Sequence, residues 1–153
     1  MQKRIPQNCD FRLRPFTIKK EKNIYGIIFG ASHIRAVDKF LNLAWSLNHI
    51  NGEANFDIDA DEEKTQLCMF EEKKLTKLEQ FQHDLRDAVL SKNVRNNKEA
   101  YDFAIDHGHI SNHADEVIRA LKKEKKLTLD GISPKCNYNQ VYKNKLVIEY
   151  HIL

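Results

Sequence analysis

The sequence predicts a mixed α+β fold, and three observations support this prediction. Two short apolar runs near the amino end are separated by a charged turn, as in a β-hairpin. Three successive helical patterns follow from about residue 73. After them the apolar period changes from helical to two, which is typical of strands.

The amino-terminal elements are predicted to be a hairpin and a helix. Phe11 to Lys20 alternates imperfectly and Asn23 to Gly30 is compact and mostly apolar, while Pro15 places the first strand at an edge or a bulge. Ser32 is the predicted cap of a helix that reaches about Leu47. Its apolar residues follow helical spacing: Ile34, Val37, Leu41, Ala44 and Trp45.

A change in composition predicts a domain boundary near residue 60. Asn48 to Glu63 is rich in Asn, Asp and Glu and is interrupted by Asn51-Gly52, which marks a turn followed by a linker. We therefore divide the chain into residues 1–60, with hairpin, helix and acidic linker, and residues 61–153.

The second part is predicted to contain three helices and two strands. The first helix covers about residues 73–93, the second is capped by Asn97 and ends at Gly108, and the third is capped by Ser111. Strands are predicted at residues 126–130 and 145–153, with a polar loop between them. Helix, helix, helix, strand, loop and strand is the element order of a winged helix-turn-helix.

Composition excludes several classes of protein. With 153 residues, 41% hydrophobic and 31% charged, the chain is typical of a soluble globular protein. No apolar run approaches the ~20 residues of a membrane helix, and no signal peptide is evident. We therefore expect a cytoplasmic protein with no membrane partner. Three widely separated cysteines without a CxxC pair indicate neither a disulfide framework nor a zinc ribbon.

The charge distribution gives only weak support for a nucleic-acid-binding carboxyl half. The net charge is +3, but residues 1–25 carry seven basic and two acidic side chains, whereas residues 97–153 carry nine and eight. The basic excess therefore lies at the amino end, away from the predicted helix-turn-helix.

The exposed flank of the third helix is the predicted site. The second helix of a helix-turn-helix presents side chains to base edges in the major groove. We expect Asn112, His113 and Arg119 to approach base edges. Asp115 and Glu116 on the same flank would repel phosphates. The predicted phosphate contacts are Lys122 and Lys123 on the helix and Lys135 and Lys143 in the wing.

The sequence suggests no metal, cofactor or active site. His107, His109 and His113 lie close together, but they span a helix end, a turn and a new helix, and no further ligand completes a tetrahedron. No glycine-rich phosphate loop and no hydrolase or metalloprotease motif is present. We therefore predict a protein that is not an enzyme and has no cofactor.

A calcium loop is similarly incomplete. Asp57, Asp59 and Asp61 match its first three ligand positions, but Glu62 stands where glycine is needed, and Cys68 where a bidentate glutamate is needed. A solvated acidic linker is the better interpretation.

Two functions are favoured, and an unrecognised enzyme stays open as a third class, because catalytic groups distant in sequence can converge in space. The first is a DNA-binding or nucleic-acid-associated winged-helix module. The alternative is a protein-interaction module, in which the hairpin edge and the Trp45 helix dock on a partner domain or on a second copy.

From Tyr25 to Ile58 the sequence resembles the carboxyl-terminal part of the three-Cys-motif partner proteins, a bacterial and phage family. In that family a strand ending in F-G-[ST]-x-H leads into a helix with a small residue, a lysine and an A-W element, followed by a winged-helix tail. Ala31 departs from this pattern, since Ser32 supplies the hydroxyl one place late. The matching residues are Phe29, Gly30, His33, Ala36, Lys39, Ala44 and Trp45.

The resemblance implies a tail from about Leu75 to Leu153. It also implies a preceding methyltransferase-like domain with a glycine-rich segment, and residues 1–30 contain no such segment. Adenosylmethionine binding therefore does not carry over. On this view the chain is a carboxyl-terminal piece or a truncated relative, and its hairpin has an edge open to a partner.

Overall fold

A computed structural model describes residues 11–56 and 75–153 and confirms the α+β architecture. The acidic part of the linker, Asp57 to Glu63, lies outside the described residues, and so does the boundary near residue 60, which stays a prediction. The elements are β1 (Arg12–Lys20), β2 (Asn23–Ala31), α1 (Ile34–Leu47), α2 (Lys77–Leu90), α3 (Asn97–Asp106), α4 (Ser111–Lys123), β3 (Leu127–Leu129), a π-helical turn (Asn139–Lys143) and β4 (Tyr150–Ile152).

The amino-terminal hairpin is confirmed. Strands β1 and β2 pair antiparallel in continuous register, so Pro15 lies opposite Ile28 without a bulge. The other edge of β1 is covered by the segment after α1, because Thr17 donates its N–H to the carbonyl of Glu53 at 2.7 Å. Asn55 in turn donates its N–H to the carbonyl of Thr17 at 3.0 Å.

Three predicted helix caps lie one residue away from the observed ones. His33, rather than Ser32, caps α1 through a ring nitrogen that accepts a backbone N–H of the first turn. Asn96, rather than Asn97, caps α3 in the same manner through its side-chain oxygen. The cap position of α4 is Ile110 rather than Ser111, and it makes no side-chain hydrogen bond to the helix. Neighbouring polar residues compete for such a position, and sequence alone does not decide between them.

Two predicted elements are shorter than expected. Helix α2 begins only at Lys77, after a capping box formed by Thr76 and Glu79. The final strand pairs only over β4, where Leu129 lies opposite Tyr150. The chain before β4 instead follows the π-helical turn.

Asn97 explains why the last strand is short. It is fully buried. Its side-chain oxygen accepts the N–H of Ile148 at 2.9 Å, and its side-chain nitrogen donates to the carbonyl of Leu146 at 3.0 Å. This amide occupies backbone groups that a longer β-ladder would use, so it fixes the path of the wing into β4.

Helix α1 and the winged helix share one hydrophobic core. Side chains of α1 are buried together with those of α2, α3 and α4, and the two strands of the wing close this core. Its larger members are Val37, Leu41, Trp45, Phe81, Leu85, Val89, Tyr101, Ile105, Ile118, Leu121, Leu127 and Tyr150.

None of the helices within residues 11–56 and 75–153 combines the length and the apolar character needed to cross a bilayer.

Candidate nucleic-acid interface

The turn between α3 and α4 is built on a glycine and anchored from α1. Gly108 adopts φ +78°, a left-handed conformation that ends α3. The indole N–H of Trp45 donates to the carbonyl of Gly108 at 2.9 Å, in a buried position. A side chain distant in sequence therefore holds the turn that precedes α4.

His113 is buried, so the prediction that it lies on the exposed flank of α4 is wrong. Its ring packs edge-on against Trp45, with centroids 4.5 Å apart. Its Nδ1 lies 3.1 Å from Nδ1 of His109, whose ring stacks on Phe81 at 4.0 Å. The aromatic surface of α1 and α2 draws both imidazoles inward and away from any nucleic acid.

Both of these histidines are neutral in the folded protein. Burial, with a smaller contribution from the ammonium of Lys77, lowers the pKa of His109 to about 2 and that of His113 to about 4. In the hydrogen bond between the two Nδ1 atoms, one neutral imidazole donates its N–H and the other accepts it.

Stability is expected to fall as the pH drops below about 6.5, where histidines of the unfolded chain begin to bind protons. Because the folded-state pKa values of His109 and His113 are lowered, their contribution is complete above that pH. It is lost progressively toward pH 4, by up to about 1.4 kcal/mol per pH unit for each ring.

Urea unfolding as a function of pH measures this effect. A double variant, His109→Phe with His113→Phe, carries the same carboxylates and so supplies the background acid sensitivity. Identical pH profiles for the wild type and this variant would contradict the assignment.

The outward side of α4 carries four exposed side chains, which we call the outer face of α4. They recur at helical spacing and so lie on one side of the helix. Among them Arg119 has 63% of its side chain exposed. The outer face of α4 consists of Asn112, Glu116, Arg119 and Lys123.

Two further side chains of α4 connect it to the wing. The carboxylate of Asp115 accepts the N–H of Cys136 at 2.9 Å and lies 3.6 Å from the guanidinium of Arg119. The ammonium of Lys122 donates to the carbonyl of Ile132 at 3.0 Å. Asp115 is therefore a structural link between α4 and the wing. Because Arg119 offsets its charge, its carboxylate should repel phosphate less strongly than the sequence predicts.

The two predicted lysines of the wing lie in different surroundings. Lys135 is exposed and directly precedes Cys136, so it lies beside α4. Lys143 is exposed at the end of the π-helical turn, which packs on α3 through the hydroxyl of Tyr142, a donor to Asp102 at 2.6 Å. Lys135 is thus joined to α4 through the neighbouring Cys136, whereas Lys143 lies on the α3 side.

An open groove of about 370 Å³ borders the outer face of α4 on its α2 side. Its walls carry charges of both signs, and Arg86 within it is held by two hydrogen bonds to Glu124. The lining residues are Gln82, His83, Arg86, Glu116, Val117 and Ala120.

Candidate catalytic groups are few in the described part of the chain. There, no three or more His, Cys, Asp or Glu side chains are grouped to hold a metal ion. Burial raises the pKa of the Cys136 thiol, which contacts the hydroxyl of Tyr150, so this cysteine is not an activated nucleophile.

Sequence reasoning missed the roles of Asp115, Lys122 and Asn97 in holding the wing. Each bonds to a residue at least 10 positions away along the chain. The sequence shows Asn97 only as a polar residue at the start of a helix, and neither its burial nor the other two bonds has a local signal.

Comparison with known proteins supports the fold of this region. Residues 57–131 match the family model described as the GMT-like wHTH domain, a stretch that includes α2, α3, α4 and β3. No curated protein and no solved structure matches the chain. Element order, the anchored turn and this match together show that the chain contains a winged helix-turn-helix region.

Proposed function

We propose that the protein is a non-catalytic DNA-binding module that inserts α4 into the major groove. One observation carries this proposal. Helix α4 is the second helix of the helix-turn-helix, and its outer face is exposed and carries the cations Arg119 and Lys123. Asn112 and Arg119 are suited to base edges, because an amide and a guanidinium both make paired hydrogen bonds there.

The lysines around the outer face of α4 supply the proposed contacts to phosphate. Lys123 and Lys135 are both exposed, and Lys122 at the wing junction adds positive charge. Lys143 stays a predicted phosphate contact on the α3 side of the wing. Lys122 and Lys123 also stabilise the last turn of α4 through the helix dipole.

Fluorescence anisotropy with a random-sequence DNA duplex at low salt tests the proposal. We expect measurable binding, and at least about tenfold weaker affinity for a double variant with Arg119→Glu and Lys123→Glu. Removing one phosphate contact, as in Lys123→Ala, should reduce the slope of log affinity against log salt by about one.

A matched control is available on α1. Lys39 is exposed and lies outside the proposed interface, so Lys39→Ala removes the same charge and should retain the affinity. Absence of binding to duplex, or equal losses for Lys39→Ala and Lys123→Ala, would contradict the proposal.

Membership of the three-Cys-motif partner family stays a prediction, because the family match covers only the winged helix-turn-helix region. The protein-interaction hypothesis concerns a different surface, the hairpin edge and the Trp45 helix, and does not compete for the outer face of α4.

A further inference from the structure

Strand β2 is nine residues long. In the described part of the chain its only strand partner is β1. The backbone groups of Thr17 and Lys19 point away from β2, since they bond to residues 53–55. Where two residues face each other without exchanging hydrogen bonds, the backbone N–H and C=O groups of both point away from the partner strand. Gly26 and Ile24, which lie opposite, therefore present their N–H and C=O groups at the free edge.

This edge lacks the features that keep natural strands from pairing with other chains. Strand β2, NIYGIIFGA, contains no charged residue and no proline, and its register with β1 has no bulge. Its apolar side chains are exposed instead: Ile24 by 63%, Tyr25 by 52% and Ile28 by 58%. Such a surface is typical of an interaction site.

We propose that β2 pairs antiparallel with β2 of a second copy of this chain, around a two-fold axis at Ile27. This register places Ile24 opposite Gly30 and Gly26 opposite Ile28, so that each isoleucine of the solvent face lies across from a glycine. On the α1 side, Tyr25 lies opposite Phe29. About eight backbone hydrogen bonds would form in the resulting four-stranded sheet.

The glycines make the surface complementary to itself. No atom lies within 4 Å of the position where a side chain would begin at Gly26, so there is room for Ile28 of the other copy. Gly30 is covered by the ring of Phe11, which offers an apolar contact to Ile24 of the other copy. A two-fold interface requires such a self-complementary patch.

The charges at the hairpin turn favour this orientation. Lys19, Lys20 and Lys22 lie at one end of the hairpin. Antiparallel pairing puts the two lysine-rich turns at opposite ends of the new sheet, whereas parallel pairing would put them side by side. A shift by two residues would place Gly26 opposite Gly26 and Ile24 opposite Ile28, so the isoleucines would no longer lie across from glycines.

The proposed dimer adds a property that a single DNA-binding chain does not have. A dimer carries two α4 helices, and dimeric helix-turn-helix proteins use such pairs to bind two half-sites. The surface is separate from the outer face of α4, so either proposal can fail while the other stands.

Light scattering and a disulfide cross-link test the proposal on the full chain. The wild type should have twice the mass of one chain. In a background with Cys9→Ser and Cys68→Ser, Ile27→Cys should form a covalent dimer on mild oxidation, because the two thiols meet at the axis. Ile24→Cys is the matched control: it lies on the same strand, but the proposed register separates its two copies by roughly 20 Å.

A charge exchange at the axis gives a second measurement. Ile27→Lys alone and Ile27→Glu alone should each reduce the mass to that of one chain, and mixing them should restore the dimer. Circular dichroism confirms that each variant is folded. A monomeric wild type, or equal cross-linking through Ile24→Cys and Ile27→Cys, would overturn the proposal.

Discussion

Replacing Trp45 by alanine is expected to destabilise the protein by about 3–5 kcal/mol. The ring is 4% exposed, and it packs on His109 and His113. Its indole N–H also satisfies the buried carbonyl of Gly108. The variant therefore combines a large cavity with an unpaired acceptor at the helix-turn-helix turn. Urea unfolding monitored by circular dichroism measures the change.

Two comparisons separate these effects. Trp45→Phe keeps most of the ring volume but leaves the Gly108 carbonyl unpaired, which should cost about 1–3 kcal/mol. Leu43→Ala changes the same helix at a position 59% exposed, and should change stability by less than about 0.5 kcal/mol. Equal stabilities for Trp45→Ala and Leu43→Ala would contradict the shared core of α1 and the winged helix.

The second large effect is expected for Asn97→Ala. This change leaves the N–H of Ile148 and the carbonyl of Leu146 without their buried partner, at about 1–3 kcal/mol each. Because the side chain holds the wing, we also expect weaker DNA binding although Asn97 itself contacts no DNA in the proposed complex. Urea unfolding and anisotropy report the two losses.

The neighbouring asparagine is the control. Asn96→Ala removes the cap of α3 and should cost only about 1 kcal/mol, with DNA binding retained. If Asn97→Ala were no more costly than Asn96→Ala, the wing would not depend on this amide.

Apolar periodicity predicts most of the fold. The order of helices and strands, the hairpin and the inward side of α4 at Ala114, Val117, Ile118 and Leu121 follow from it, since burial of one stripe defines each helix. In the final segment Ile148 and Tyr150 are buried at the predicted alternation, even though only β4 forms a ladder. Apolar periodicity predicts which side of a segment is buried more reliably than it predicts which backbone groups form hydrogen bonds.

The candidate site is less predictable, because it depends on contacts between distant residues. His113 is polar and lies in the first turn of α4, so sequence places it on the exposed flank. Trp45 and Phe81 bury it instead. Asp115 likewise resembles a repulsive carboxylate until its bond to Cys136 is seen. Local patterns contain no information about such partners.

The central claim is that the outer face of α4 contacts DNA. A two-dimensional ¹H–¹⁵N NMR titration with a short duplex tests it most directly, because each backbone amide reports its own surroundings. We expect the largest shifts at Asn112, Arg119 and Lys123, with smaller ones near Lys135. Shifts confined to the hairpin, or no shifts at any residue as duplex is added, would contradict it.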